Sequence, residues 1–171
     1  AGTGLDNSGT ATLTGATFDA NTTGIAGSGD VTFTSGTITR STVALVGSGG
    51  ATLNGATVSE NQTGIDRAGP LTVSSSIVST NTVTGIRAGG PLTLTSSIVD
   101  HNGRGVEAAG SVTMSRSTIS NSTGAGPAPT GGLVLTATAA TVAIFRSTIG
   151  QNGGAGLAVA GGVVTLTEST V

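Results

Sequence analysis

Gly64-Ile-Asp-Arg-Ala-Gly-Pro-Leu-Thr-Val-Ser-Ser-Ser-Ile-Val-Ser-Thr-Asn81 is followed by Gly85-Ile-Arg-Ala-Gly-Gly-Pro-Leu-Thr-Leu-Thr-Ser-Ser-Ile-Val-Asp-His-Asn102, nearly the same segment again. The pattern runs outward in both directions. Marker glycines stand at Gly4, Gly24, Gly64, Gly85, Gly105, Gly132 and Gly156, with Ala44 in one slot, at steps of 20, 20, 20, 21, 20, 27 and 24 residues. A period near 20 residues, rich in Val, Thr and Gly, marks one coil of a solenoid.

Each repeat reads in the same order. An apolar residue follows the marker (Leu5, Ile25, Leu45, Ile65, Ile86, Val106, Leu157), and a glycine-bearing turn comes next, as at 27–29 and 68–70. Then comes an alternating segment such as Val31-Thr-Phe33, Leu71-Thr-Val73 or Leu92-Thr-Leu94. Period-two alternation turns the aliphatic side chains inward and the threonines outward. A small residue (Ala16, Gly36, Ala56, Ser76, Ser97, Ser117, Ser147, Ser169) precedes one more inward apolar position: Phe18, Ile38, Val58, Val78, Val99, Ile119, Ile149 and Val171. Three residues beyond it lies a polar column of Asn21, Ser41, Asn61, Asn81, Asn102, Ser122 and Asn152. Asparagines stacked at the ~4.7 Å spacing of neighbouring strands can bond backbone and one another, a structural role. Asn21, Asn61 and Asn121 also begin Asn-x-Thr sequons, but the first two arise from the repeat and are expected to face inward.

Equivalent strands one coil apart pair in parallel, and such crossovers are right-handed in nearly all proteins. The expected fold is all-β: a right-handed parallel β-helix of about eight coils of about 20 residues, with three short strands per coil, spanning 1–171 as a single domain. Its length would be roughly 35–40 Å. Residues 122–132, with two prolines and several glycines, break the pattern and are expected to form a loop insertion. No polar cap is visible at either terminus, so a longer parent chain or end-to-end stacking is expected.

The Gly-Ile, Val-Thr-Leu-Thr, Ser-Ile-Val and Asn pattern resembles the parallel β-helix repeats of bacterial surface proteins, with a fold of the pectate-lyase-like superfamily. The resemblance covers essentially the whole chain. It implies a solenoid fold and a bacterial extracellular or cell-surface location. It does not select an activity, because that superfamily includes polysaccharide lyases, hydrolases, adhesins and inert stalks.

Composition narrows the field. The 171 residues include 30 Gly and 3 Phe, with no Trp, Tyr or Cys, and only 8% are charged. The core must therefore be thin and aliphatic, and disulfides and thiolate metal sites are excluded. A net charge of −2, with all six basic residues Arg and none clustered, gives no electrostatic reason for a nucleic-acid partner. No apolar run is long enough to insert in a membrane as a helix. The partners expected are polysaccharide, other surface protein chains, or copies of this chain stacked end to end.

The carboxylates Asp6, Asp19, Asp30, Glu60, Asp66, Asp100, Glu107 and Glu168 do not cluster along the columns. They read instead as ionic ladders: Asp66, Arg87 and Glu107 on three successive coils, Arg40 with Glu60, and Arg146 with Glu168. His101, the one histidine, reads as a surface turn residue. No catalytic residue, cofactor or metal ligand is assigned. The candidate binding face is the outward row of Thr12, Thr14, Thr32, Thr34, Thr52, Thr72, Thr93, Thr95 and Thr113, interrupted by Ala143 and Phe145. Such a double row resembles the ice-binding ladders of solenoid antifreeze proteins. The leading expectation is a non-catalytic structural or adhesin-type module (stalk, scaffold or filament subunit). Ice binding is the alternative, and a carbohydrate-active β-helix enzyme is a second alternative.

Overall fold

The computed structural model describes residues 2–124, 130–138 and 140–171. They wind into a parallel β-solenoid of three sheets, and no helix occurs among them. Sheet 1 contains eight strands: Thr3–Asp6, Thr23–Ala26, Val43–Gly47, Thr63–Arg67, Thr84–Ala88, Arg104–Ala108, Gly131–Leu135 and Ala155–Val159. Sheet 2 contains eight: Thr10–Thr14, Asp30–Thr34, Ala51–Asn54, Leu71–Ser74, Leu92–Thr95, Val112–Ser115, Thr141–Phe145 and Val163–Thr167. Sheet 3 contains seven: Thr17–Asp19, Thr37–Thr39, Thr57–Ser59, Ile77–Ser79, Ile98–Asp100, Thr118–Ser120 and Thr148–Gly150. The first seven coils each add one strand to each sheet in turn, as the repeat predicts, and the eighth adds strands to sheets 1 and 2 and a single bridge, Thr170 to Thr148, beside sheet 3.

Register holds each column of like residues together. Ile65 pairs with Leu45 and Ile86, Val73 with Leu53 and Leu94, and Val78 with Val58 and Val99. These columns meet in one continuous interior in which Ile25, Phe33, Ile65, Leu94, Met114 and Ile149 are fully buried. Each such apolar side chain withdrawn from water contributes about 1.5–3 kcal/mol, so the thin core gains by repetition. At the first coil Leu5, Leu13 and Phe18 are only partly covered, and at the last Val164 and Leu166 are exposed although their register with Val142 and Ile144 aims them inward.

Two corners of every coil are turned by one left-handed residue. The residue following each sheet 2 strand (Gly15, Ser35, Gly55, Ser75, Ser96, Arg116, Arg146, Glu168) has φ between 46° and 62°. So does the residue following each sheet 3 strand: Ala20, Arg40, Glu60, Thr80, His101, Asn121 and Gln151. One left-handed residue reverses the local twist and aims the next strand along another sheet.

The expected insertion at 122–132 is shorter at its far end, because Gly131 and Gly132 already belong to a strand of sheet 1, paired with the strand Ala155–Val159. Residues 125–129 of the expected insertion lie outside the described residues.

Candidate functional site

The threonine face lies on the outside of sheet 2. Thr12, Thr32, Thr52, Thr72, Thr93 and Thr113 form one column, each in direct register with the next. Ala143 then interrupts it and Thr165 resumes it. The second column runs Thr14, Thr34, Asn54, Ser74, Thr95, Ser115, Phe145 and Thr167. The two columns carry hydroxyls, methyls, one amide and one aromatic ring, and no charge. Thr12, Thr14, Thr52 and Thr113 are exposed, and Thr32, Thr34, Thr72, Thr93 and Thr95 are half-buried. Beside this face an open groove of about 400 Å³ runs between Asp30, Gly50 and Pro70 and the threonines Thr32, Thr52 and Thr72. Asp30 accepts the Gly50 N–H at 2.7 Å.

The asparagine column faces inward. Asn61, Asn81 and Asn102 are buried, while Asn21 and Asn152 are half-buried. In four members the carboxamide oxygen caps a backbone N–H one coil earlier: Asn61 caps Ser41 at 2.8 Å, Asn81 caps Asn61 at 3.1 Å, Asn102 caps Asn81 at 3.0 Å and Asn152 caps Ser122 at 3.0 Å. The carboxamide Nδ2 of Asn61, Asn81 and Asn102 donates to Ile38, Val58 and Val78 carbonyls of the preceding coil. Asn21 accepts no such role in the described coils; its N–H is capped by Ser41 Oγ and its Nδ2 donates to the Asp19 carbonyl. The buried asparagine amides of these turns are thereby satisfied, whereas the buried Ser122 hydroxyl in the same column has no hydrogen-bond partner among the described residues.

A second ladder was not legible as one. Ser76, Ser97, Ser117, Ser147 and Ser169 read in the sequence only as small residues. Each hydroxyl accepts the backbone N–H of the preceding member of its column, from Ala56 N–H to Ser76 at 3.0 Å through to Ser147 N–H to Ser169 at 3.2 Å. The signal available was the switch from Ala56 to an unbroken run of serines.

Arg67 was also missed. Its side chain is fully buried, and all five N–H groups donate to backbone carbonyls: Nε to Gly49, Nη1 to Gly27 and Val46, Nη2 to Gly29 and Gly50, at 2.9–3.4 Å. Burial pulls the guanidinium below its ordinary value, with the Asp30 charge opposing, and an arginine stays protonated under such conditions. Gly47 and Gly27 occupy the same column one and two coils earlier, which was the available clue.

The charges follow the ladder reading with one correction. Arg87 lies between Asp66, at 3.3 Å, and Glu107, at 3.6 Å, and Arg146 meets Glu168. Arg104, nearly buried, also pairs with Glu107. Arg40, however, pairs with Asp19 rather than Glu60. Arg40 and Glu60 both sit at left-handed corners (φ 51° and 60°), whereas Asp19 is held at the end of its strand by Thr39 Oγ1 at 2.9 Å and lies in reach of the guanidinium. The hydrogen bonds from Arg40 and Thr39 hold the Asp19 carboxyl below its usual value.

His101 sits at an exposed corner, with Nδ1 against Asp100. Asp100 also accepts from Ser120 Oγ at 2.6 Å and Asn121 Nδ2 at 2.8 Å. Burial pushes the Asp100 carboxyl up, but the bonds from Ser120, His101 and Asn121 outweigh it and leave it lowered. Among the described residues no three His, Asp or Glu side chains converge on a point that could hold a metal ion, and no helix is long and apolar enough to cross a membrane. No family model, curated protein or solved structure matches this chain.

Proposed function

We propose that this chain is a non-catalytic structural module of an extracellular or cell-surface protein, a stalk, scaffold or adhesin-type segment. The observation that carries this reading is the use of its polar side chains. The asparagine and serine columns, Arg67 and most of the charged residues hold one coil to the next, and little chemistry is left pointing at a common substrate position. Continuous parallel register through all eight coils favours a rod that sets distance and presents its faces to a partner, such as a polysaccharide or another surface chain. The pectate-lyase-like superfamily and a bacterial source belong to this proposal through the resemblance of the repeat.

Incubation with acidic and neutral polysaccharides tests it. Binding without new reducing or unsaturated ends is the expected result. Turnover that disappears in Asp100→Asn or Asp30→Asn would overturn it in favour of a carbohydrate-active enzyme.

The uncharged, in-register threonine columns favour one second reading, ice binding through sheet 2. Thermal hysteresis that falls when Thr52→Tyr and Thr93→Tyr are introduced would establish it.

A further inference from the structure

We propose that the turns of coils two and three form a guanidinium receptor in their own right, filled in this chain by the side chain of Arg67. Asn7, Gly27, Gly47 and Arg67 share one column. Register places these positions one above another, and beyond Arg67 the column continues with Ala88 and Ala108. Gly27 and Gly47 leave a channel without side chains. Into it converge the carbonyls of Gly27, Gly29, Val46, Gly49 and Gly50.

The cage is also braced by hydrogen bonds in which its occupant takes no part. Gly29 N–H bonds the Asn7 carbonyl at 3.0 Å, Val31 N–H bonds Gly50 at 3.0 Å, Ala51 N–H bonds Pro70 at 2.9 Å, and Asp30 caps Gly50. On the far side Asn7 Nδ2 donates to Gly9 and Asp30 carbonyls, closing the channel there.

The ligand class follows from donor count. Five acceptors spread around a flat cation match the five fixed donors of an alkylguanidinium, whereas an ammonium offers three donors on one compact centre. The Asp30 carboxylate adds a favourable field for a cation. Removing the side chain leaves five carbonyls, that of Gly29 buried and the others partly so, facing an empty space, an incentive to bind the matching group.

The test uses the full chain carrying Arg67→Ala, with alanine already native to this column at Ala88 and Ala108. The probe is ethylguanidinium chloride, the fragment the substitution deletes. Guanidinium salts ordinarily destabilise folded proteins, so the sign is diagnostic. The expected result is a saturable rise in the Tm of Arg67→Ala, about 3–6 °C at ten times Kd, while the Tm of the parent chain falls or stays constant. Ethylammonium chloride and sodium chloride at equal concentration should not reproduce it. No rise, or an equal rise with ethylammonium, overturns the proposal. If Arg67→Ala does not fold unaided, refolding across an ethylguanidinium series decides: recovery of the β-sheet circular dichroism supports the receptor, and no recovery overturns it. Arg67→Lys, which fills the channel with its own stem, should show no response to the probe.

Discussion

The guanidinium of Arg67 lies in the space that Gly47, its register partner one coil earlier, leaves by having no side chain. A Cβ on Gly47 would stand 2.6 Å from Arg67 Nη1 and 1.8 Å from the Gly27 carbonyl oxygen, at a φ of +148°. Neither backbone nor a five-bonded guanidinium can retreat. Gly47→Ala is expected to destabilise the chain by about 3–5 kcal/mol, seen as a large fall in the urea midpoint. A loss under about 1 kcal/mol would mean that Arg67 does not occupy this channel.

The asparagine column should behave as a chain of dependencies. Asn81 Oδ1 accepts from both the backbone N–H and the Nδ2 of Asn61, and its own Nδ2 serves Val58 and Asn102. Asn81→Ala strands several buried groups at once, so a loss of about 3 kcal/mol or more is expected. Amide hydrogen exchange should show the Asn61 N–H losing protection, because its acceptor is the deleted group. Unchanged exchange at Asn61 would contradict the ladder.

Facing can be tested with a pair of substitutions. Val78 is fully buried between Val58 and Val99, and Thr72 points out between Thr52 and Thr93. Val78→Asp places an unpaired charge in a core one side chain deep and should unfold the neighbouring coils. Thr72→Val should change stability by less than about 0.5 kcal/mol. Circular dichroism melts of the two variants make the comparison.

The corners hold strain that can be released. Thr80, a β-branched residue, turns its corner at φ 52° and is exposed. Asparagine adopts that conformation more readily, so Thr80→Asn should stabilise by about 0.5–1 kcal/mol in thermal denaturation. A neutral or destabilising result would show that the threonine side chain does more than turn the corner.

Acid should loosen the molecule through Asp100 and Asp19. Both carboxyls are held below the ordinary aspartate value of 3.8, so the folded state binds protons less readily than the unfolded one. Their contribution is fully present above that value and is lost as pH falls through it toward the lower folded values. Asp100→Asn should flatten part of this acid slope in a Tm-against-pH series, and leave the neutral and alkaline limb without a new slope.

Fold and facing were both written in the repeat. A 20-residue period brings the same residue type back to the same place, so alternation at Val31-Thr-Phe33 or Leu71-Thr-Val73 gave the inward columns, and Asn61, Asn81 and Asn102 announced their own stack. Tertiary structure alone decided what happens where side chains cross between coils. Arg67 turns inward because Gly27 and Gly47, 40 and 20 positions earlier, leave a channel above it. Arg40 chooses Asp19 over Glu60 because corner geometry sets where each side chain can reach. The serine hydroxyls became acceptors because the stacked corners bring a backbone N–H over each one. A column in a sequence tells which residues are neighbours, but the direction of each side chain and the space left by others determine which neighbour it bonds.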